Sequence, residues 1–382
     1  MKRIMTAFLI LSCLLFSSCK TGKDQKTAGT DLPDNLEYWL SDPQATPEVA
    51  VLYNNLGLIS ASSILIGHQD ALAYGMGWKG DEFRTDINDV CGDFPAVFGW
   101  DLGHIGETHN IDSVPFDRMQ QWAIEAYKRG GINTYSWHVR NIVSGGSAWD
   151  TSPCVPGILP GGDHHEDFLA KLDLVAGFFA GLKKENGDLI PVIFRPWHEM
   201  TGGWFWWGTR SCTPEEYQQL FRFTVNYLRN EKGFHHIIYA YSPDRFETAE
   251  QYMTFYPGDD YVDVMALDDY HGLNNKERTH TTIRMLEIID SLAHSHSKLM
   301  AISETGLETI PNPVWFTDVV LPTIKTNSAT MNTSWILFWR NGRPDHFYAP
   351  YPGHPSAEDF KKFKEDDLTY FLSDIQGIYK MK

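Results

Sequence analysis

The chain has 382 residues and a formal net charge of −17, because 49 acidic residues outnumber 32 basic ones. This balance disfavours nucleic acid and anionic lipid surfaces as partners, since both carry phosphate groups. It says little about neutral polysaccharides, and the 13 Trp, 17 Tyr and 22 Phe provide flat apolar faces on which sugar rings stack.

The first residues follow the pattern of an export signal. A basic start at positions 2 and 3 precedes an apolar stretch at residues 7–16, which is too short to span a bilayer and right for a signal peptide. The stretch ends in Ser17, Ser18 and Cys19, which resembles a bacterial lipobox. The resemblance implies that residues 1–18 are removed and that Cys19 is lipidated. The alternative is an ordinary signal peptide with a chance cysteine.

A polar segment follows the proposed lipidation site. Residues 19–36 contain Lys, Gly, Thr and Asp without hydrophobic periodicity, so we predict a flexible tether from the lipidated Cys19. We expect residues 37–382 to form one domain, since no repeat or change of composition divides them. We therefore expect an exported bacterial lipoprotein whose only membrane contact is its lipid. The periplasmic and cell-surface faces both remain open.

Eight short runs rich in apolar and β-branched residues occur at intervals along this domain. Such runs are typical of buried parallel strands. The predicted strands are Ser63–His68, Ala96–Asp101, Ile132–His138, Leu189–Phe194, His236–Tyr241, Val262–Tyr270, Lys298–Ser303 and Ser334–Arg340.

Stretches with helical spacing lie between these runs. In the stretch Phe116–Arg129, one face carries Met119, Trp122, Ala123 and Ala126. Strand and helix alternate eight times, which predicts an α/β fold of the (β/α)₈ TIM-barrel type.

Three cysteines remain in the predicted domain. Cys154 and Cys212 lie in loops after the third and fourth strands, and export makes a disulfide permissible. We predict that these two form a disulfide and that Cys91 stays free. The alternative is three free buried thiols. The sequence has no CxxC and no zinc-finger spacing, so it predicts no metal and no cofactor.

Polar or aromatic residues stand at or just beyond the C-terminal ends of most predicted strands. This end of a TIM barrel carries the active site. The residues concerned are His68, Asp101, His138, Glu199, Tyr270, Glu304 and Arg340.

Two glutamates among them suggest glycosidic bond hydrolysis, which needs one carboxyl as proton donor and another as nucleophile or base. We assign Glu199 as general acid/base, because it adjoins His198 and precedes the aromatic run Trp204–Trp207. Apolar surroundings raise a carboxyl's pKa and keep it protonated. Glu304 is then the nucleophile and needs hydrogen-bond donors nearby, for which Tyr270 is a candidate.

Together with their neighbours, these residues resemble the corresponding segments of family 26 glycoside hydrolases, chiefly β-mannanases. The resemblance rests on four segments: residues 195–200 (Arg-Pro-Trp-His-Glu-Met) with Trp204, Asp269-Tyr270, Ile302-Ser-Glu304 and Trp339-Arg340. It implies a TIM barrel in which Glu199 is the acid/base and Glu304 the nucleophile. It also implies that His198, Trp204 and Tyr270 line the cleavage subsite, and that His138, Trp339 and Arg340 contact the sugar on its non-reducing side.

The resemblance implies a retaining endo-β-1,4-mannanase that acts on mannan, glucomannan or galactomannan. Two alternatives remain open at this stage. One is a glycan-binding lipoprotein that keeps the barrel without catalysis. The other is a family relative that acts on β-1,3-xylan or mixed-linkage β-glucan.

Overall fold

The computed structural model describes residues 40–381. The predicted signal peptide, Cys19 and the tether lie outside the described residues. Eight parallel strands form the centre of the fold: β1 Ile64–Gln69, β2 Val97–Asp101, β3 Ile132–Ser136, β4 Val192–Arg195, β5 Ile237–Tyr241, β6 Val264–Asp269, β7 Leu299–Thr305 and β8 Thr333–Phe338.

The strands close into a barrel in chain order. Each strand pairs in parallel with the next, and β8 returns to pair with β1, where Leu65 lies opposite Trp335. Every residue of the eight strands is buried. Burial on both faces explains why the sequence shows continuous apolar runs rather than alternation. The predicted (β/α)₈ fold is therefore confirmed.

The fourth strand is the clearest difference from the sequence prediction. It begins at Val192, three residues after the predicted start at Leu189. Pro191 has no backbone N–H to donate to a neighbouring strand. Leu189 instead forms an isolated antiparallel bridge with Lys183 before the barrel strand begins.

Helices surround the barrel and alternate with the strands. They are α1 Pro47–Ser60, α2 Asp86–Cys91, α3 Phe116–Lys128, α4 Val155–Ile158, α5 His165–Gly181, α6 Pro214–Asn226, α7 Ala249–Met253, α8 Thr279–His296, α9 Leu321–Ile324, α10 Ser328–Met331 and α11 Ala357–Lys364. Shorter elements are the π-helical turns Tyr227–Glu231 and Phe316–Val320, the 3₁₀ turns Gly272–Asn274, Lys276–Arg278 and Leu372–Ile375, and the two-residue strands Tyr74–Gly75, Trp78–Lys79 and Thr369–Tyr370.

Local sequence explains where two of these helices begin. Thr213 precedes α6, and its side chain accepts a hydrogen bond from the backbone of Glu216, whose side chain accepts one from the Thr213 backbone. Pro214 occupies the first helical position, where no backbone N–H is needed. Thr46 and Pro47 begin α1 in a similar way. No helix within residues 40–381 is long and apolar enough to cross a membrane.

The predicted disulfide is not formed in the structure, where Cys91, Cys154 and Cys212 are all free. The Cys212 thiol donates instead to the carbonyl of Trp207 at 3.3 Å. Burial raises the pKa of Cys154 to about 11 and that of Cys212 to about 12, so both are neutral thiols near neutral pH. The expected Cys154–Cys212 disulfide is therefore absent from this structure, although Cys154 lies near enough to contribute to the raised pKa of Cys212.

Candidate active site

The turn after β4 carries Glu199 into the mouth of the barrel. Trp197 and Glu199 both have left-handed backbone conformations, with φ of 59° and 54°. Such conformations cost about 1–3 kcal/mol each in non-glycine residues and persist only where the surroundings hold them. Tyr217 donates to the carbonyl of Trp197 at 2.8 Å, and the Glu199 N–H donates to the carbonyl of Ser242 at 2.8 Å. The backbone position of Glu199 is thus fixed by two neighbouring elements.

Glu304 lies near the end of β7, and both of its carboxylate oxygens have donors. Arg195 donates from Nη2 to Oε1, and the Tyr270 hydroxyl donates to Oε2 at 3.2 Å. The same arginine donates from Nη1 to Asp268 at 2.6 Å and to Ser242 at 3.1 Å. Glu304 is only 4 % exposed, so these donors stabilise a carboxylate charge that little water reaches.

Glu199 has a contrasting environment. It is buried, and among residues 40–381 its one side-chain donor is the indole N–H of Trp204, 2.8 Å from Oε2. Burial raises its pKa well above the usual range, and the negative charges of Glu304, Asp268 and Asp244 raise it further. The Trp204 hydrogen bond acts in the opposite direction. These effects favour the protonated form of Glu199, which is the form that a general acid needs.

The spacing of the two glutamates bears on the stereochemistry of any glycosidase reaction. One oxygen of Glu199 lies within 4.8 Å of one oxygen of Glu304. Retaining glycosidases place their carboxyl groups about 5–5.5 Å apart, whereas inverting enzymes need about 6.5–9.5 Å to admit a water molecule. The separation fits direct attack by one carboxylate and proton donation by the other.

Asp268 shares this cluster, so the three carboxylates have a spacing that would suit a metal ion. Arg195 already pairs with two of them, Asp268 and Glu304. Its guanidinium supplies the positive charge that an ion would bring. The arrangement is best described as a buried arginine shared between two carboxylates.

A second polar chain connects β2 to the site. Asp101 Oδ2 accepts from His138 Nδ1 at 2.7 Å, and His138 Nε2 lies 3.1 Å from His198 Nε2. Burial opposes charge on His138, but the charge and hydrogen bond of Asp101 raise its pKa. Burial lowers the pKa of His198 well below its usual range, as do the charges of Arg195 and His138. These effects favour the neutral form of His198, whose Nε2 can then accept a hydrogen bond from a protonated His138.

Asp101 itself stays ionised. Burial would raise its pKa, but the charge of His138 and hydrogen bonds from His138, Ser136 and the Gly103 N–H lower it to about 2. The sequence singled out Asp101 without a role. In the structure it orients the imidazole of His138, and through it that of His198.

Aromatic side chains enclose the space above the two glutamates. This catalytic cavity, of about 380 Å³, is lined by His138, Trp149, Glu199, Trp204, Phe205, Tyr270, Asn274, Glu304, Gly306, Glu308, Trp339 and Tyr348. Trp149 is 50 % exposed and stacks on His138, with ring centroids 5.4 Å apart and planes 20° apart. Flat rings beside hydrogen-bonding groups suit a neutral sugar.

The aromatic run after Glu199 divides into core and cavity residues. Trp206 and Trp207 are fully buried, and their indole N–H groups donate to the carbonyls of Val139 and His198 at 2.9 and 2.8 Å. Trp204 faces the catalytic cavity. Thus one tryptophan of the three is available for stacking.

Arg340 and His68 lie beside the catalytic cavity rather than on its lining. Arg340 forms an ion pair with Asp112, with Nε 2.9 Å from Oδ1, and approaches the hydroxyl of Tyr74 at 3.4 Å. His68 is fully buried next to the Trp339 backbone and the Asn341 side chain, and burial lowers its pKa to about 4. The remaining candidates His138, Trp204, Tyr270 and Trp339 all line the cavity, and His198 contacts it through His138.

Sequence reasoning assigned no role to several residues of the site, among them Trp149, Arg195 and Asp268, and the cavity residues Asn274, Gly306, Glu308 and Tyr348. Trp149 is a single aromatic in a loop without periodicity, and the one signal in the sequence is its position close after Gly145 and Gly146. Arg195 is the last residue of β4, and Asp268 lies in β6. Arg195 contacts Asp268, which is 73 residues away along the chain, and Glu304, which is 109 residues away, and the sequence alone does not show these contacts.

The comparisons with known proteins agree with this geometry. The family model for glycosyl hydrolase family 26 matches residues 41–316. A mannan endo-1,4-beta-mannosidase of Bifidobacterium adolescentis is 29 % identical and covers 87 % of this chain, and one of Bacillus subtilis is 34 % identical over 48 % of it. The chain spans 35 % and 52 % of the lengths of these two curated relatives.

Two solved structures are similar over most of their length. A GH26 β-mannanase from Bacteroides ovatus has a TM-score of 0.84 at 43 % identity, covering 88 % of this chain and 98 % of that one. An endo-β-1,4-mannanase from Cellulomonas fimi has a TM-score of 0.84 at 35 % identity, covering 90 % of this chain and 80 % of that one. With a family match over most of the chain and two paired glutamates in the barrel mouth, this protein belongs to glycosyl hydrolase family 26.

Proposed function

We propose that the protein is a retaining endo-β-1,4-mannanase that hydrolyses mannan, glucomannan or galactomannan. The single observation that carries the chemistry is the close pairing of Glu199, whose raised pKa favours the protonated form, with Glu304, whose two oxygens accept from Arg195 and Tyr270. The substrate class is supported by the mannanase relatives named above.

The two glutamates divide the reaction between them. In the first step Glu304 attacks the anomeric carbon, while Glu199 gives its proton to the departing glycosidic oxygen. In the second step Glu199 accepts a proton from water, and the resulting hydroxide attacks the same carbon and releases Glu304. Both displacements occur with inversion, so the product keeps the configuration of the substrate.

The surrounding residues hold this geometry. Arg195 and Tyr270 fix the two oxygens of Glu304, so that one stays oriented for attack. Burial in the catalytic cavity strengthens these charged contacts because little water competes for them. Trp204 positions Glu199 and offers its ring to the sugar on the leaving-group side.

The test is a product profile on linear β-1,4-mannan, galactomannan, β-1,3-xylan and mixed-linkage β-glucan. We expect the mannans to be hydrolysed at least about tenfold faster than the other two, with a rapid fall in viscosity that marks internal cleavage. NMR of the first product should show the β-anomer. Binding without release would favour the glycan-binding alternative, and a preference for xylan or mixed-linkage glucan would favour the family relatives that act on them.

We also propose that the enzyme is an exported lipoprotein held at a membrane through lipid on Cys19. This proposal rests on the order of basic start, apolar stretch and cysteine in residues 1–19. A membrane anchor of this kind would hold the barrel near the cell while leaving its mouth open to polysaccharide.

A further inference from the structure

Two spaces adjoin Trp204, and Glu304 lines neither of them, whereas Glu199 lines the first. Because Glu199 protonates the departing oxygen, we place both on the leaving-group side of the site. The first space is an open groove of about 340 Å³, lined by Glu199, Trp204, Asp244, Arg245, Tyr270, His271, Asn274 and Arg278. It continues the catalytic cavity, with which it shares Glu199, Trp204, Tyr270 and Asn274.

The second space, which we call the side cavity, opens from the same groove. It has a volume of about 480 Å³ and shares Trp204, Asp244, Arg245 and His271 with the groove. Beyond them it extends to Phe246, Glu247, Gln251 of α7, and Thr281 and Met285 of α8. The side cavity therefore leaves the path of the groove and runs towards the two helices.

The polar groups of the side cavity suit hydroxyl groups. Asp244 and Arg245 lie together, with Oδ2 and Nε 3.3 Å apart, so their charges offset each other. Gln251 uses its Oε1 to accept from the Glu247 N–H at 2.7 Å, which leaves its amide N–H groups for a ligand. Thr201 Oγ1 is buried at the edge of the side cavity without a hydrogen-bond partner among residues 40–381. Glu247 also lines the side cavity, so its lining includes two carboxyl groups and one guanidinium. This set disfavours an anionic ligand and offers hydrogen-bond partners to the hydroxyl groups of a neutral one.

Apolar surfaces complete the lining. Phe246 is 6 % exposed and is held against Tyr252, with ring centroids 4.8 Å apart. Met285 and the ring of Trp204 also face the space. Close packing of Trp204 over Gly202, where an added Cβ would lie 2.1 Å from the ring, keeps the indole at the border of both spaces. Apolar faces combined with a few polar groups are typical of a sugar site.

We propose that the side cavity binds a neutral hexosyl branch carried by the backbone sugar next to the cleaved bond, on the leaving-group side. The backbone itself follows the open groove past Asn274 and Arg278, and the branch enters the side cavity beneath Gln251. This inference rests on the proposed mannanase function and specifies its substrate. It predicts that the enzyme cleaves galactomannan at positions where the leaving mannose carries an α-1,6-linked galactose.

The experiment fills the side cavity and compares branched with linear substrates. Gln251→Trp places a large ring in the side cavity, and Gln251→Ala removes the amide without filling the space. The matched control is Gln219→Trp, because Gln219 is exposed on α6 and lies outside the groove and both cavities. Each protein is assayed for kcat/KM on linear mannohexaose and on a mannohexaose with one galactosyl branch, and circular dichroism verifies its fold.

We expect Gln251→Trp to lower the ratio of branched to linear kcat/KM by about tenfold or more. Gln251→Ala should lower this ratio by a smaller factor, and Gln219→Trp should leave it unchanged. Product analysis gives a second readout, since the leaving sugar becomes the new non-reducing end. Wild-type digests of galactomannan should contain fragments whose non-reducing mannose carries galactose, and digests by Gln251→Trp should lack them.

Two outcomes would overturn the inference while leaving the mannanase function intact. An unchanged ratio, or an absence of terminally branched fragments from wild-type digests, would show that no branch enters the side cavity. An equal loss on both substrates would show that the space holds a backbone sugar. Failure of the wild-type enzyme to hydrolyse linear mannohexaose would instead contradict the proposed function itself.

Discussion

Trp204 donates its indole N–H to the carboxylate of Glu199 at 2.8 Å, and the same ring faces the catalytic cavity. One side chain therefore both lines this cavity and holds the carboxyl group that we propose as the proton donor. The hydrogen bond favours the ionised form of Glu199, while burial and neighbouring negative charge favour the protonated form. Burial and the neighbouring negative charges outweigh the hydrogen bond, so the pKa of Glu199 lies well above its usual range.

This relationship predicts the pH dependence of a Trp204→Phe variant. Phenylalanine keeps an aromatic face but removes the N–H, so the pKa of Glu199 rises further. A general acid loses activity as pH rises through its pKa, so the alkaline limb of the kcat/KM profile should move to higher pH. Trp149→Phe is the control, since Trp149 lines the same cavity and stacks on His138. A shift to lower pH, or an equal shift in both variants, would contradict this account.

A second prediction concerns the Asp101–His138–His198 chain. Asp101→Asn keeps the shape of the side chain but removes the charge that raises the pKa of His138. Burial then leaves His138 neutral, and its hydrogen bond to His198 is no longer secured. Because charged hydrogen bonds contribute about 1.5–3 kcal/mol, we expect kcat/KM to fall about 10- to 100-fold.

Purely structural damage would lower thermal stability together with activity, so melting temperature should be measured beside kcat/KM. Asp117→Asn, at an exposed position in the first turn of α3, is the matched control and should change neither. Activity close to wild type in Asp101→Asn would refute a role for this chain in catalysis.

The barrel was predictable because buried parallel strands leave a direct trace in sequence. Continuous apolar runs such as Val264–Leu267 recur at intervals that match eight strand–helix units. Glu199 and Glu304 were recognisable in the sequence because each is an acidic residue at the end of an apolar run. Glu199 comes just after the fourth strand, and Glu304 lies near the end of the seventh. In a barrel of this type, polar residues at the C-terminal ends of the strands usually belong to the active site.

Contacts between segments that are far apart along the chain could not be recognised in the sequence in this way. Arg195 was visible in the sequence, but its sharing between Asp268 and Glu304 depends on the register of three separate strands. The thiols of Cys154 and Cys212 lie in neighbouring loops, as expected, yet neighbouring loops do not determine whether two sulfurs face each other. Trp149 lies in a loop whose path is set by the residues it packs against, chiefly His138 and Phe205.

A third prediction tests the proposed anchor. Cys19→Ala removes the thiol on which lipidation depends, so the variant should accumulate uncleaved or leave the membrane fraction. Fractionation of cells followed by mass determination of the N-terminus measures both outcomes. Cys91→Ala, a substitution within the barrel domain, should remain processed and membrane-bound. If Cys19→Ala is still processed and stays in the membrane fraction, the lipobox interpretation is wrong.

The last prediction separates the roles of the two glutamates. Without Glu304 no glycosyl-enzyme can form, whatever the leaving group. Glu304→Ala should therefore be inactive on mannan and on activated aryl glycosides alike. Without Glu199 the departing oxygen receives no proton, which matters for a sugar hydroxyl but little for a good phenolate.

Glu199→Ala should accordingly lose polysaccharide hydrolysis yet still release an activated phenolate, with azide speeding turnover of the trapped intermediate. The losses on mannan should be several orders of magnitude, equivalent to about 4 kcal/mol or more of transition-state stabilisation. Glu185→Ala, at a highly exposed position beyond α5, is the control and should retain full activity. The assignment fails if Glu199→Ala keeps near-normal mannan hydrolysis, or if Glu304→Ala is the variant that spares aryl substrates, because either result would place the proton donor and the nucleophile on the opposite carboxylates or elsewhere.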